Sequence, residues 1–499
     1  MSNHNKSKIK IVNTIGPSIT QKIWDHQILE SNKEMTAKAK KMCEELISAG
    51  SNVARFNFSH GSEEEQLIRI ELLREAAKKL NKPYSMLLDT KGPEIRVCKF
   101  PDDGITYSEG QAIKIYTTKK NLATANTFCV YDSSGKYNMA KDCKVGNKIL
   151  VEDGKLILAI KKVDVTKGIV EVQALNTHTV KTNKRINLPA ASYSMPFLSE
   201  KDVNDLKFAC KQKFDYVAPS FVSNVQNVKQ IRDVLVKNGG KDIKIISKIE
   251  NCDGIKNLDA IISASDGIMV ARGDLGSEIP YAEVPYWEKE MIKKCHAQNK
   301  PIIVATQMLD SMEKNLLATR AEVMDVYVAG QFGTDAVMTS GETAQGQYPI
   351  NVVNTMRIIN ETSEDVFHYS KAIEHAKSIK GLSTNGKKAG LAIAKLALPK
   401  NEGTIKATFP YEFVVIFEND MKTIESISAF KPAASILVVT DKPVLSTKFG
   451  ITYGITAYLV ADLNKAKKDY KNVAKAAVKL NATGSKKYAI YLNGKIVTK

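Results

Sequence analysis

The sequence predicts an α/β protein: a (β/α)8 TIM barrel interrupted by an inserted all-β domain and followed by a smaller C-terminal α/β domain. Three observations lead there. Eight short apolar or β-branched runs each end in a polar cluster, and helix-like stretches such as EEEQLIRIELLREAAKKL and EKDVNDLKFACKQK lie between most of them. Between Val97 and Arg185 the helical period disappears and strand-and-turn segments take over. From about Glu361 helical segments and strands alternate again. The expected bounds are 1–97 with 186–360 for the barrel, 98–185 for the inserted domain and 361–499 for the last.

In chain order the eight runs are KIKIVNTIG from Lys8, NVARFNFSH from Asn52, YSMLLDTKG from Tyr84, FDYVAPSFV from Phe214, KIISKIEN from Lys244, GIMVARGDLG from Gly267, PIIVATQM from Pro301 and DAVMTSGETA from Asp335. Eight alternating strand–helix units close a parallel sheet into a barrel, whose active site lies where strand C-terminal ends meet the following loops. The polar cluster at the end of each run then sits at the barrel mouth. A doubly wound open sheet is the alternative, but it places its ligand in one crevice instead of drawing on nearly every strand end. The inserted domain is read from QAIKIYTT, KILVEDGKLILAI and GIVEVQAL. The last domain is read from KKAGLAIAKLAL alternating with FVVIF, ASILVVTD, ITAYLVAD and KYAIYLNGKIV.

Composition narrows the function. At 499 residues, 43% hydrophobic and 25% charged, the chain is long enough for about three domains with real cores. No apolar run approaches the roughly 18 residues a bilayer span needs, and the start MSNHNKSKIKIV lacks a signal peptide's apolar core, so a cytoplasmic protein without a membrane partner is expected. The seven cysteines are scattered with no CxxC, which suggests neither a disulfide framework nor a zinc site. A formal charge of +18 attracts anions, either nucleic acid or phosphorylated metabolites. The lysines are spread along the chain with no basic arm, no Cys/His finger and no aromatic RNA-binding signature, so solvated surface is favoured over a nucleic-acid partner.

In a strand, positions i and i+2 share a face. With extended geometry Arg55, Asn57 and Ser59 point one way, as do Lys248 with Glu250 and Arg272 with Asp274. Each pairing sets a cation beside an oxygen ligand, which suits a phosphoryl group bridged to a divalent ion. Glu250 and Asp274, carboxylates from adjacent strands, favour a hard cation such as Mg2+ completed by substrate and water. The competing reading is a plain salt bridge within each strand. Gly273 and Gly276 let the backbone approach a small anion, or serve only as turn glycines. Lys248, near the end of KIISKI, can stabilise charge on a transferring phosphoryl or an enolate. The Thr306 hydroxyl can orient a substrate or join a proton relay, and Asn57, Ser59, Asp89 and the Thr90 carbonyl form an oxygen set compatible with a monovalent cation.

Taken in order, TIGP, NVARFNFSHG, LLDTKGPEIR, IISKIEN, MVARGDLG, ATQML, TRAEV and DAVMTSGETA resemble the motifs of the pyruvate kinase family, from near residue 8 to about 350. The resemblance implies transfer of the phosphoryl group of phosphoenolpyruvate to ADP, the final step of glycolysis, in a homotetramer. It also implies that Glu250 and Asp274 hold Mg2+ (or Mn2+), that Lys248 stabilises the phosphoryl transition state and that Arg55 binds the phosphate. The amides of Gly273 and Asp274 with the Thr306 hydroxyl would hold the substrate carboxylate, and Thr306 would be linked to protonation of the enolate. Asn57, Ser59, Asp89 and Thr90 match the family's K+ site, and Glu94 stands where K+-independent members carry lysine, so K+ dependence is expected. The nucleotide would meet Asn57, Phe58, Ser59, His60, Arg96 and Lys184, the last from an inserted domain that closes as a lid. A basic nucleic-acid-binding protein and an inactive barrel kept as a scaffold remain as other readings. The second would have lost a catalytic group, whereas Lys248, Glu250, Asp274 and Thr306 are all present.

The chain also departs from the family pattern. NLLATRAEV replaces the usual Pro-x-Pro turn before TRAEV, so the loop after the seventh strand should be more helical or looser. Gln21 to Lys41 is longer than the usual first connection, and Arg185 stands where glycine is common, which can reshape the lid hinge. In the last domain Glu418, Asn419, Asp420 and Met421 stand where sugar-bisphosphate-activated members carry a Thr/Ser/Gly-rich phosphate loop. Two carboxylates repel a phosphate, and Met421 lacks glycine's conformational freedom. Fructose bisphosphate should therefore not activate through this loop; saturable activation that disappears on changing Lys422 and Thr423 would show otherwise.

Overall fold

The structure, a computed structural model, describes residues 7–119, 122–132, 135–189, 191–481 and 487–497. All eight apolar runs become strands of one closed parallel barrel: β1 (Lys10–Thr14), β2 (Val53–Asn57), β3 (Ser85–Asp89), β4 (Tyr216–Ala218), β5 (Lys244–Ile249), β6 (Gly267–Ala271), β7 (Ile302–Ala305) and β8 (Ala336–Thr339). They pair in sequence order, and β8 closes on β1 with Lys10 opposite Ala336. Alternate residues fill the interior, among them Val12, Leu87, Ile246, Met269 and Ile303. Their neighbours Ile11, Leu88, Ile245 and Ile268 pack under the helices. Burial on both faces is why these strands read as near-continuous apolar runs.

The first connection is helical throughout much of its extra length. Helices span Pro17–Thr20, His26–Ser31 and Lys33–Ala49, and Asn32 ends the second while its side chain accepts from Met35 N to cap the third. His26 reaches Glu64 and Glu71 of the next helix, Glu63–Lys79, which ties the added turn to its neighbour. That next helix begins where Ser62 accepts from Glu65 N and three glutamates fill the first turn, both favourable at a helix N-terminus.

Between β3 and β4 the chain builds a second closed barrel of seven strands with its own core, including Ile113, Phe128, Ile149, Leu158 and Val172. Its strands Ile95–Val97 and Arg185–Asn187 pair directly, with Arg185 opposite Arg96, so the ingoing and outgoing chains lie side by side. The last part holds a five-stranded sheet, four strands parallel and Lys495–Val497 antiparallel at one edge.

That last part covers the floor of the large barrel, at the N-terminal strand ends. Ile451 joins the barrel's interior cluster, and Gly450 lies so close to Ser85 and Val53 that a Cβ has no room. Lys431 pairs with Asp335 at 2.5 Å and Lys244 with Glu425 at 2.6 Å across the same contact. The mouth is left for chemistry.

Two of the departures take definite form. After β7 a short 3-10 turn, Asp310–Glu313, gives way to irregular chain with Leu316 and Leu317 exposed, and a capping box of Thr319 and Glu322 starts the helix Arg320–Gln331. The loop thus holds one 3-10 turn and is otherwise irregular up to the capping box. In the last part the Glu418 carboxylate accepts from Asn419 N (2.8 Å) and Asp420 N (3.0 Å), while Asp420 accepts from Thr423 N (3.0 Å) and Oγ1 (2.6 Å). The loop's own carboxylates take its amides. Among the described residues no helix is long and apolar enough to cross a membrane.

Candidate active site

At the mouth, Lys248 at the end of β5 is buried with its Nζ 3.0 Å from Asp89 Oδ1, 2.7 Å from Ser220 Oγ and 3.1 Å from Glu250 Oε1. Burial alone lowers a lysine, but Asp89 and Glu250 outweigh it and hold the ammonium above its ordinary range. Arg55 on β2 donates from Nε to the other oxygen of Asp89 (2.7 Å) and from Nη1 to Thr14 Oγ1 (2.7 Å). Burial raises Asp89, yet these two cations keep it ionised below the usual carboxylate range. The i, i+2 expectation thus holds for Lys248 and Glu250, including the salt bridge that competed with it.

Asp274 and Glu250 lie within hydrogen-bonding reach of each other. Burial, and then the nearby Asp274 charge, push Glu250 up despite Lys248; Asp274, which is half-buried, is held low by Arg185 and Lys248 against the pull of desolvation. Glu250 Oε2 accepts from Phe221 N at 2.5 Å, while Oε1 is buried and faces the Lys248 ammonium without an aligned hydrogen bond. Two hard carboxylates converging in this way fit a divalent cation that takes few protein ligands. Among the described residues no cluster of three or more His, Cys, Asp or Glu side chains suggests a zinc-type cage.

The pairing expected for Arg272 and Asp274 is not formed. β6 ends at Ala271 and a helix, Arg272–Glu278, begins at once, so the two side chains leave a helix and no longer alternate on a strand. The amides of Gly273 and Asp274 belong to that first helical turn, not to a glycine nest. Arg272 turns instead to Asp325 (2.6 Å) and Glu288 (3.2 Å) and donates to the carbonyls of Thr306 (2.8 Å) and Gln307 (3.1 Å). Those carbonyls belong to residues with φ of +68° and +53°. A β-branched residue in the left-handed region is costly and clusters at functional sites, so Arg272 clamps a strained turn. The turn aims the Thr306 hydroxyl at the helix start, where Gly273 N donates to Oγ1 at 2.8 Å.

Of the oxygens read as a K+ set, those of Asn57 and Asp89 stand as register partners at the ends of β2 and β3, with both Asp89 oxygens engaged by Lys248 and Arg55. Asn57 Oδ1 accepts from Ser59 N (3.0 Å) and the Thr90 carbonyl from Ser220 Oγ (2.7 Å), leaving lone pairs on each. Glu94 is paired with Arg96 at 2.8 Å and lies 3.7 Å from Lys91. Of the nucleotide candidates, His60 is exposed and Ser59 half-buried, whereas the Phe58 ring is core, packed on Phe208. Arg96 donates to the Asn183 carbonyl (2.8 Å) and Lys184 pairs with Glu152 (3.0 Å), both at the base of the small barrel.

Sequence reading missed several participants. Ser220 and Phe221 lie inside APSFV, and only the burial of Ser220 between Lys248 and Thr90, with Phe221 at φ +58°, reveals them. Gly92 sits at φ +68° beside Ser220 and has no room for a Cβ there, so TKGPE needs its glycine. Arg185 was visible only as a departure; its guanidinium stacks 4.7 Å over the Phe221 ring and is ion-paired to Asp274. Glu278 lies behind it, accepting from Asn187 Nδ2 (2.9 Å) and Tyr193 OH (3.0 Å).

A family model described as pyruvate kinase, barrel domain, matches residues 6–353. The chain is 46% identical over 484 residues to a pyruvate kinase of Mycoplasma pneumoniae, covering 95% of each chain. It is 40% identical over 451 residues to a pyruvate kinase of Bacillus licheniformis, covering 90% of this chain and 71% of that one. The crystal structure of a pyruvate kinase from Cryptosporidium parvum matches with a TM-score of 0.85 at 30% identity, covering 99% of this chain and 96% of that one.

Burial pushes Glu278 from an ordinary 4.5 up to about 7. The folded protein binds this proton more tightly than the unfolded chain, so the group's contribution is full below about pH 4.5 and is lost as pH rises through 7. Glu278→Gln should therefore be more stable than the parent at pH 8, by at most about 3 kcal/mol, with the gap closing by pH 5. Chemical denaturation at the two pH values measures this, and a gap that does not change with pH would show that Glu278 titrates normally.

Proposed function

The chain belongs to the pyruvate kinase family and transfers the phosphoryl group of phosphoenolpyruvate to ADP, and we propose that the residues at its barrel mouth divide that reaction among them. The observation that carries this reading is a buried ammonium, Lys248, set among Asp89, Glu250 and Asp274 at the ends of neighbouring strands. Phosphoryl transfer spreads charge over the equatorial oxygens, and catalysis comes from groups already fixed where that charge develops. Lys248 and Arg55 are such groups: each is anchored on its own oxygen of Asp89, so neither has to reorganise. Arg55 binds the phosphate and Lys248 faces the transferring group.

Glu250 and Asp274 would hold Mg2+ or Mn2+, which when bound neutralises the phosphoryl oxygens as a Lewis acid. The Gly273 and Asp274 amides with the Thr306 hydroxyl hold the substrate carboxylate, and Thr306 hands on the proton that the enolate needs. Asn57, Ser59, Asp89 and Thr90 would hold K+. The nucleotide is held by Asn57 to His60, with Phe58 contributing backbone because its ring is buried, and by Arg96 and Lys184. The segment 98–185 closes over it as a lid that excludes water. A homotetramer and a cytoplasmic setting complete the reading.

The test is pyruvate formation from phosphoenolpyruvate and ADP with Mg2+, in K+ and in Na+ buffer, beside Lys248→Met. Activity should need K+ and fall by about 10²-fold or more in the variant. Equal rates in Na+ would remove the K+ assignment, and an active variant the role of Lys248.

Arg185 competes for the charge of Asp274. Arg185→Gly should bind Mn2+ in the absence of substrate about tenfold more tightly than the parent, as read by electron paramagnetic resonance of free Mn2+. Unchanged or weaker binding would mean that Asp274 is not the ligand.

A further inference from the structure

The strand Arg185–Asn187 carries the chain out of the small barrel, and its first side chain crosses to the large one. The Arg185 guanidinium is ion-paired to Asp274, on the helix Arg272–Glu278, and lies 4.7 Å over the ring of Phe221, in the loop after β4. Its backbone has little room to move. Arg185 and Ile186 pair with Arg96 and Ile95 on one side, Ile186 and Asn187 with Val151 and Leu150 on the other, and the Arg185 carbonyl accepts from Glu152 N at 3.0 Å. The side chain is only 17% exposed, so its charge depends on partners more than on water. Burial opposes that charge, but Asp274, then Glu94 and Glu250, outweigh burial and hold the guanidinium's pKa above its ordinary value.

These contacts set Arg185 between the two halves of the reaction. Lys184 precedes it and Arg96 is its register partner, both assigned above to the nucleotide. Asp274 and Glu250, assigned to the metal, stand on its other side, next to Lys248. A phosphoryl group passing in line from phosphoenolpyruvate to ADP travels between those sets. When Asp274 turns to a divalent cation, Arg185 loses the charge that now holds it. Glu94, the next carboxylate in influence, is already paired with Arg96 at 2.8 Å, and Glu250 faces the same metal. Phe221 remains under the guanidinium plane, held by its own amide's bond to Glu250 Oε2 at 2.5 Å. A buried cation without a counter-ion is unfavourable, and the planar fork of an arginine matches the oxygens of a phosphoryl group.

We propose that Arg185 is a further catalytic residue: paired with Asp274 in the metal-free enzyme, it donates to the oxygens of the transferring phosphoryl group once a divalent cation takes that carboxylate. This rests on the reading of Asp274 as a metal ligand. Arg185 moves no proton; it donates hydrogen bonds to the charge that develops as the P–O bond to the enolate breaks and the bond to the ADP oxygen forms. The small barrel then supplies charge to the transition state as well as cover.

The experiment is isothermal titration of the full-length protein, at saturating Mg2+ and K+, with phosphoenolpyruvate and with oxalate, which offers a metal its carboxylate oxygens but carries no phosphoryl group. Arg185→Gln and Arg185→Lys are compared with the parent. Phosphoenolpyruvate should bind Arg185→Gln about tenfold more weakly than the parent, as expected for loss of a charge-assisted partner, with Arg185→Lys in between, while oxalate binds all three alike. The turnover number of Arg185→Gln should fall by about 10²-fold or more. Equal weakening of both ligands would overturn the proposal, because it would place the effect at the metal, and so would unchanged phosphoenolpyruvate binding or an unchanged turnover number. Mn2+ binding to Arg185→Gln without substrate reports that the variant's mouth is intact and separates this inference from the reading beneath it. Binding no tighter than the parent's would remove Asp274 as the ligand and the proposal with it, whereas tighter Mn2+ binding beside unchanged phosphoenolpyruvate binding would remove the proposal alone.

Discussion

The mouth of this barrel is organised by one buried ammonium. Lys248 has left water, and an uncompensated charge there would cost several kcal/mol, so its surroundings have to supply negative charge and hydrogen bonds at fixed positions. Asp89 meets that need from two strands away, Ser220 from β4's trailing loop and Glu250 from the residue after β5. Each partner then constrains something else. Asp89, fixed by Lys248, fixes Arg55; Ser220, fixed by Lys248, holds the Thr90 carbonyl; Glu250 faces Asp274 and holds Phe221 in a left-handed turn. Removing the central charge would leave Asp89 to Arg55 and Asp274 to Arg185, with Glu250 the carboxylate that loses its cation.

Much of this was legible in the sequence because strand periodicity is local. The eight runs are apolar on both faces and end in polar residues, so their number, order and outward ends can be read directly, and the two-residue spacing puts Lys248 beside Glu250. The same rule failed one strand later, at Arg272, because it assumes the strand continues. Glycine in RGDLG permits either outcome, and here the helix starts at Arg272. What no local pattern shows is which residues from distant segments meet. Ser220 looks like loop polarity until barrel closure places it under Lys248. Arg185 belongs to a different barrel from the aspartate it pairs with. Register is intermediate: that Asn57 faces Asp89 follows from pairing β2 with β3, not from either strand alone.

The two ends of the barrel solve different problems. In this architecture the C-terminal face carries chemistry and the N-terminal face stability. The floor follows that division in its contacts: Ile451 plugs the interior, Gly450 allows the close approach to Ser85, and Lys431 and Lys244 find Asp335 and Glu425 across the boundary. Among the described residues Lys10 and Lys82 have no ion pair, beside pairs that are complete, so the neutralisation of this contact is uneven.

The small barrel is joined to the mouth by the same logic of charge. Its ingoing and outgoing strands are paired, with Arg185 opposite Arg96, so a rotation of the small barrel carries both arginines together. Arg96 is tethered to Glu94 on its own strand, but Arg185 is tethered across the cleft to Asp274 and lies over Phe221. Movement of the small barrel therefore breaks an ion pair to the large one unless something else neutralises Asp274. Whatever takes over that carboxylate releases the arginine, and with it the constraint on the strand that carries Lys184 at its edge. If the small barrel acts as the lid and Asp274 as the metal ligand proposed above, opening and cation binding become two readings of a single electrostatic equilibrium, because a single aspartate serves both.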